Sequence, residues 1–327
     1  MHHLMLASTL IATATMASAQ DRPVLTVYTY DSFVSGWGPG PQIEQAFEAE
    51  CGCDLQFVGA GDGAALLSRL RLEGARTKAD IVLGLDTNLM TAARDTGLFD
   101  PHGITAAFDM PVEWDDDTFL PFDWGYFAFV ANADFDAPGD FRALGQSDTS
   151  IVIQDPRSST PGLGLVMWVK SAYGDQAAEI WEGLSDNIVT VTPGWSEAYG
   201  LFLEGEADMV LSYTTSPAYH LIAEDDSGKK AVPMSEGHYM QVEVAAKLAG
   251  TDQAELADQF LEFMLTDAFQ GVIPTTNWMY PAKTPADGLP DGFDTLITPE
   301  TALLLDADKA AALRDQAIAE WQAALAR

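Results

Sequence analysis

The chain has 327 residues, of which 47% are hydrophobic, and its 49 Asp and Glu outnumber its 16 Lys and Arg to leave a net charge of -33. Such a surface repels nucleic acid and anionic lipid and attracts cations through its summed field, which excludes polyanion-binding functions. The same acidity also serves solubility alone, so charge by itself names no ligand.

Residues 1–19 read as an export leader. An apolar run over 4–16 is followed by Ala17-Ser18-Ala19, a small-residue cleavage pattern just before Gln20, although the amino-terminal region offers only His2 and His3 and no Lys or Arg. The run is shorter than the roughly 20 residues a membrane-spanning helix needs. A removed signal and a soluble protein outside the cytoplasm are therefore expected. The remainder of the chain, about 300 residues, exceeds the size at which one core keeps growing, so two lobes are predicted.

Residues 24–30 alternate in the manner of a β-strand. A Gly/Pro loop at 36–41 precedes a helical pattern with Ile43 and Phe47 on one face. Cys51 and Cys53 flank Gly52. An oxidising compartment favours pairing them. Residues two apart lie about 7 Å from each other when extended, so the turn must tighten at Gly52. A lone Cys-x-Cys without nearby His is poor support for zinc or redox chemistry. A strand at 54–58, a glycine loop at 59–63, a helix at 64–73 and a strand at 80–84 complete a βαβ series, which predicts a largely parallel sheet. The glycine loop lacks a following Gly-Lys-Ser/Thr, so it is no P-loop. It is either a plain turn or a close backbone approach to a ligand, with Asp62 as acceptor.

A long aromatic strand at 119–130 breaks the pattern, and a second alternating series begins at 151–153. It continues through helices at 162–173 and 196–205 and strands at 188–191 and 209–211. After a polar stretch at 224–230, residues 239–245 form another strand, with helices at 254–266 and from 307 onward. The expected organisation is a first lobe built from 20–125 and 239–327 and a second from 126–238, with hinge strands crossing near Gly125 and Tyr239. Such α/β folds bind ligands between the lobes, at strand carboxyl ends and helix amino termini.

Two further loops and a set of dispersed aromatics carry candidate site residues. Residues 154–164 place Ser159 and Thr160 ahead of Pro161, which fits an ordinary capped helix or an anion held by free backbone N–H groups. The segment Tyr213-Thr214-Thr215-Ser216-Pro217-Ala218-Tyr219 combines hydroxyls, a proline turn and two tyrosines. Tyr30, Trp37, Trp195, Tyr213, Tyr219 and Trp278 stand beside Gly, Pro, Ser, Thr, Asp or Asn rather than in apolar periodic runs. Rings at such places stack on planar ligands or attract cations, each worth about 0.5–2 kcal/mol. Catalysis finds little support. His102, His220 and His238 lack a G-x-S-x-G nucleophile motif, no H-E-x-x-H is present, and Asp225-Asp226 reads as a solvated charged loop.

Across nearly all of the sequence after the leader, the chain resembles the periplasmic thiamine-binding proteins of bacterial ABC importers. The resemblance is carried by residues 25–33, Trp37-Gly38-Pro39-Gly40-Pro41, residues 79–86, Gln154-Asp155-Pro156-Arg157, residues 159–164, Gly194-Trp195-Ser196-Glu197-Ala198-Tyr199-Gly200, the Tyr213 loop and Asn277-Trp278-Met279-Tyr280-Pro281. It implies an α/β class II periplasmic binding fold, two lobes joined by a two-strand hinge. The fold would close on thiamine, thiamine phosphate or thiamine diphosphate and deliver it to a membrane permease. Ligand contacts would fall on Asp62, Gly63, Ser159, Thr160, Trp195 and Tyr213, Thr214, Thr215 and Ser216, with Tyr30, Tyr219 and Trp278 as aromatic walls. The implied chain is a monomer without catalytic residues, resident cofactor, metal or nucleic-acid partner. A ferric-iron or polyamine receptor on the same fold is the alternative. Iron receptors of this type commonly present adjacent tyrosines, which Tyr28/Tyr30 and Tyr213/Tyr219 do not supply. A thiamine-degrading enzyme would need a nucleophile, and the two cysteines sit close together.

Overall fold

The computed structural model describes residues 22–326, so the leader expected at 1–19 lies outside the described residues. The elements that position the site are, in chain order, β1 (Val24–Thr29), α1 (Gly40–Cys51), β2 (Asp54–Gly59), α2 (Gly63–Glu73), β3 (Ile81–Asp86), β4 (Leu120–Asn132), β5 (Ile151–Gln154), α3 (Thr160–Tyr173), α4 (Ala177–Leu184), β6 (Ile188–Thr192), α5 (Trp195–Leu203), β7 (Met209–Tyr213), α6 (Pro217–Ala223), β8 (His238–Leu248), α7 (Ala254–Phe263), α8 (Ile273–Thr276) and α9 (Ala307–Leu325).

The main sheet runs β2-β1-β3-β8-β4-β7-β5-β6. At one end β1 pairs parallel to both β2 and β3. At the other end β5 pairs parallel to β6 and β7. Between these parallel units lie β4 and β8, antiparallel to each other, with Gln241 opposite Gly125 and Glu243 opposite Asp123. β4 serves both units: residues up to Tyr126 pair with β8, whereas Phe127 to Ala131 pair with β7. The result is two α/β units joined by two crossing strands. Every residue of β3 is buried, as expected for a strand covered on both faces.

Aromatic packing fixes the helices to the first unit. Phe47 of α1 meets Phe260 of α7 edge to face at 5.1 Å, and both rings are fully buried. Burying one such side chain is worth about 1.5–3 kcal/mol. In the second unit Trp168 of α3 and Trp181 of α4 fill the core beneath the sheet. The last helix, expected to return with the first lobe, packs chiefly on α3 and α4 of the second unit. It buries Ala310, Ala317, Trp321 and Ala324 there, and its Glu320 meets the buried Lys170 at 2.7 Å.

Cys51 and Cys53 form a disulfide, with Cα atoms 5.2 Å apart. Gly52 between them caps α1 at φ 63°, the left-handed conformation that tightens the turn and that glycine adopts without steric cost.

Candidate ligand-binding site

Two helix amino termini, one from each unit, meet where the units approach. Asp62 caps α2, its Oδ1 accepting from the Gly63 N–H at 2.7 Å. Ser159 caps α3, and its hydroxyl donates across the gap to Asp62 Oδ2 at 2.8 Å. The Ala65 N–H donates to the Ser158 carbonyl at 2.9 Å, adding a backbone bond at the same junction. Burial pushes the Asp62 carboxyl above its ordinary range, and the Ser159 and Gly63 donors partly offset this.

Beside this junction lies a cavity of about 770 Å³. Residues brought to it from distant parts of the chain include Tyr30, Trp37, Trp195, Tyr213, Tyr219 and Trp278. Trp37 is 55% exposed at the rim, 6.2 Å from Trp195. Trp195 stacks on Tyr199 at 5.0 Å and donates from its indole N–H to the Ser212 hydroxyl at 2.8 Å. Tyr219 meets Trp278 at 5.4 Å. The Tyr219 hydroxyl donates to Glu224 Oε1, and Glu224 Oε2 lies 2.7 Å from His220 Nδ1. His220 Nε2 in turn lies 2.9 Å from the Tyr199 hydroxyl, so His220 is a buried structural link between two walls.

Two local backbone devices aim the rings. Asn277 caps the short helix α8, and Trp278 follows it at φ 56°, with its N–H bonded to the Ile273 carbonyl. A side chain in that conformation costs about 1–2 kcal/mol, an expense usually avoided by placing glycine there. At Tyr30 the device is a bulge. Leu83 and Leu85 face Ala245 and Val244 of β8, leaving Gly84 as the extra residue, at φ 103°. A Cβ on Gly84 would lie 2.3 Å from Tyr30 Cδ1, so the absent side chain is what admits the ring.

The floor is acidic. The Tyr30 hydroxyl donates to Glu243 Oε2 at 2.9 Å, and Asn277 Nδ2 donates to both Tyr30 Oη and Asp123 Oδ2. Glu243 and Gln241 line the cavity, and Tyr213 donates from its hydroxyl to Gln241 Oε1 at 3.0 Å. Asp123 is fully buried behind Glu243. Burial drives both carboxyls of this pair upward, and the Asp123 charge raises Glu243 further, while hydrogen bonds from Asn277 and Glu243 partly offset the rise at Asp123. Burial likewise raises the Tyr30 and Tyr213 phenols. Among the described residues no Lys, Arg or His lines the cavity, and no ion pair engages Asp62, Asp123 or Glu243.

Of the residues singled out from sequence, Tyr30, Asp62, Trp195, Tyr213, Ser216, Tyr219 and Trp278 line this same cavity. Gly63, Ser159, Thr160, Thr214 and Thr215 are placed just behind it. Gly63 packs against Thr160, with room for no Cβ, and Ser159 acts through Asp62. Thr214 and Thr215 are fully buried at the end of β7, and the Thr215 hydroxyl points to Met279 Sδ at 3.7 Å. Sequence reasoning missed Glu243, Gln241 and Asp123. The signal was present: Gln241 and Glu243 are polar residues two apart within the otherwise apolar run 239–246, hence on one face of the strand.

The chain belongs to the bacterial extracellular solute-binding protein family, whose pattern matches residues 39–274. Within that class its similarity is high to particular members. It is 54% identical to the thiamine-binding periplasmic protein of Escherichia coli (strain K12), over 94% of each chain. It is 50% identical to that of Brucella melitensis biotype 1, over 97% of this chain and 96% of the relative. A solved periplasmic thiamin binding protein superimposes with a TM-score of 0.91 at 53% identity, covering 94% of this chain and 97% of the other. A ferric binding protein from Campylobacter jejuni matches with a TM-score of 0.74 at 18% identity over 92% and 99% of the two chains, a likeness of fold alone. The fold is thus the two-lobed class II architecture of periplasmic binding proteins.

Proposed function

We propose that this chain is a periplasmic substrate-binding protein that captures thiamine or its phosphates and hands them to the permease of an ABC importer. The observation that carries this reading is the interlobe cavity, walled by Tyr30, Trp195, Tyr219 and Trp278 over the buried acid Glu243, with no basic side chain among its described lining residues. Thiamine is flat and carries a permanently cationic thiazolium. Electron-rich rings attract such a cation, and a buried acidic floor strengthens the attraction. Its aminopyrimidine offers donors and acceptors, and Asp62, Glu243 and Tyr213, which all line the cavity, are the groups that would meet them. Ser216, the Ser196 hydroxyl and the backbone N–H groups at the start of α5 (194–196) are the groups available to the hydroxyethyl arm or its phosphates.

In this reading the lobes divide at the crossing strands β4 and β8, near Tyr126 and Tyr239, and the Asp62–Ser159 junction is the latch that closes over the vitamin. A closed, loaded form is what the permease distinguishes. The chain binds and releases without chemistry and acts as a monomer. The high similarity to named thiamine-binding periplasmic proteins supports this ligand over iron, for which the structural likeness lies in the fold alone. Iron would also need free phenolates, whereas the Tyr30 and Tyr213 phenols are raised by burial and hydrogen-bonded to Glu243 and Gln241.

Isothermal titration of the mature protein with thiamine, its monophosphate and its diphosphate tests the reading. Saturable binding of at least one form is expected, with the vitamin recovered unchanged after incubation. No binding heat with any of the three overturns it, and a product in place of the vitamin overturns the non-catalytic part.

A further inference from the structure

We propose that Glu243 and Asp123 form a proton-sharing carboxyl pair at the cavity floor that ionises when a cation enters, so that ligand capture releases a proton. This inference rests on the cationic-vitamin reading above and adds a linkage to it.

Glu243 and Asp123 are direct cross-strand partners on the hinge strands β8 and β4, so their side chains leave the sheet on the same face. Glu243 Oε2 accepts from Tyr30, while Asp123 Oδ2 accepts from Asn277 and its Oδ1 has no partner besides what a proton would supply. Two adjacent carboxylates buried without a cation cannot both stay ionised, and one shared proton resolves the conflict.

The surroundings reinforce this. The charges acting most strongly on Glu243 are Asp123, Asp62 and Asp86, all acidic. Tyr30 and Tyr213 approach from the ends of β1 and β7, and both are phenols raised first by burial and further by the same acidic groups. Cations on packed elements are engaged elsewhere: Lys247 of β8 with Asp258 of α7, and Lys170 of α3 with Glu320. His238, at the far end of β8, bonds the Phe127 carbonyl. Tyr280 stacks on Trp124, next along β4 from Asp123, and Asp100 pairs in register with Lys247 at the other end of β8. None of these supplies a positive charge at the floor.

A cation placed in the cavity does supply it. It offsets the repulsion between the two carboxylates, the shared proton passes to solvent, and the complex then holds both carboxyls ionised, with Glu243 facing the positive charge. Glu243 is the group in contact with the ligand, and Asp123 is a positioning residue that sets when the proton leaves.

Titration calorimetry of thiamine at one pH in buffers of different ionisation enthalpy counts protons directly. The expected result is a release of up to one proton near neutral pH, with affinity rising up to about tenfold per pH unit over the same window. Glu243→Gln should abolish both the release and the pH dependence and weaken thiamine binding about tenfold or more. Asp123→Asn removes the neighbour that holds the proton on, so it should reduce the release while thiamine still binds. Absence of binding heat in the wild-type protein sinks the vitamin reading and this proposal together. Binding heat that does not vary with buffer between pH 6 and 8 sinks this proposal alone, as does a release that persists in Glu243→Gln. The wild-type buffer series needs no variant, so a misfolded substitution leaves the test intact.

Discussion

Tyr219 and Trp278, 59 residues apart in sequence, meet with ring centroids 5.4 Å apart and planes at 73°. This edge-to-face pair forms one wall of the cavity that Tyr30 also lines. The arrangement leaves aromatic surface available to a ligand while each ring supports the other.

Replacing either ring should therefore weaken thiamine binding. Trp278→Ala and Tyr219→Ala are each expected to cost about 1–3 kcal/mol by calorimetry, from lost stacking and cation–π attraction. Tyr219→Phe keeps the ring and loses only the bond to Glu224, so its loss should stay within about 1 kcal/mol. Unchanged affinity in both alanine variants would remove this wall from the site.

Gly84 should tolerate no side chain. Gly84→Ala places a methyl 2.3 Å from Tyr30 Cδ1 on a backbone at φ 103°. Backbone strain of about 1–2 kcal/mol and overpacking of about 1–3 kcal/mol act together. A loss of roughly 2–4 kcal/mol in chemical denaturation is expected on that basis, with weaker thiamine binding as Tyr30 is displaced. A variant as stable as the parent would show that the bulge does not control the ring.

Acidification should stabilise the empty protein over a defined window. Burial raises Asp86 from 3.8 to about 7, its Oδ2 accepting only from Asn88 while Oδ1 has no partner. Between these values the folded chain holds a proton that the unfolded chain lacks, so stability falls as pH rises through the window. The contribution is on the order of 2–4 kcal/mol. Denaturation midpoints should rise from pH 7.5 to pH 5. Asp86→Asn should reduce that slope, leaving the part contributed by the other raised carboxyls, Asp62, Asp123 and Glu243. An identical slope in the variant would exclude Asp86 as its source.

The disulfide should be present but minor. Cys51 and Cys53 close a very short loop, for which chain-entropy arguments give only about 1–2 kcal/mol. Neither residue lines the cavity. Thiol titration of the unfolded, unreduced protein should find no free sulfhydryl, and a double Cys→Ser variant should bind thiamine with unchanged affinity. A variant with impaired binding would show that the carboxyl end of α1 influences the site.

Much of this was legible in the chain alone. Period-two and helical patterns marked the βαβ runs at 24–84 and 151–211, because strands buried on both faces and helices covering them leave strong hydrophobic signatures. Aromatics set among turn residues at Trp195, Tyr219 and Trp278 marked themselves as something other than core, whereas Tyr30 both lines the cavity and packs in the core. What sequence could not decide was whatever depends on packing across the hinge. The last helix joins the second unit because Trp321 and its small neighbours fit α3 and α4, a choice its own pattern does not encode. Thr214 and Thr215 read as ligand donors but sit behind the cavity, since β7 ends one residue earlier and turns them inward. The pairing of Asp123 with Glu243 likewise exists only when β4 and β8 lie in register. Local propensity is written residue by residue. The electrostatics of a buried acid is set by what the folded chain brings beside it, and that is a property of tertiary structure alone.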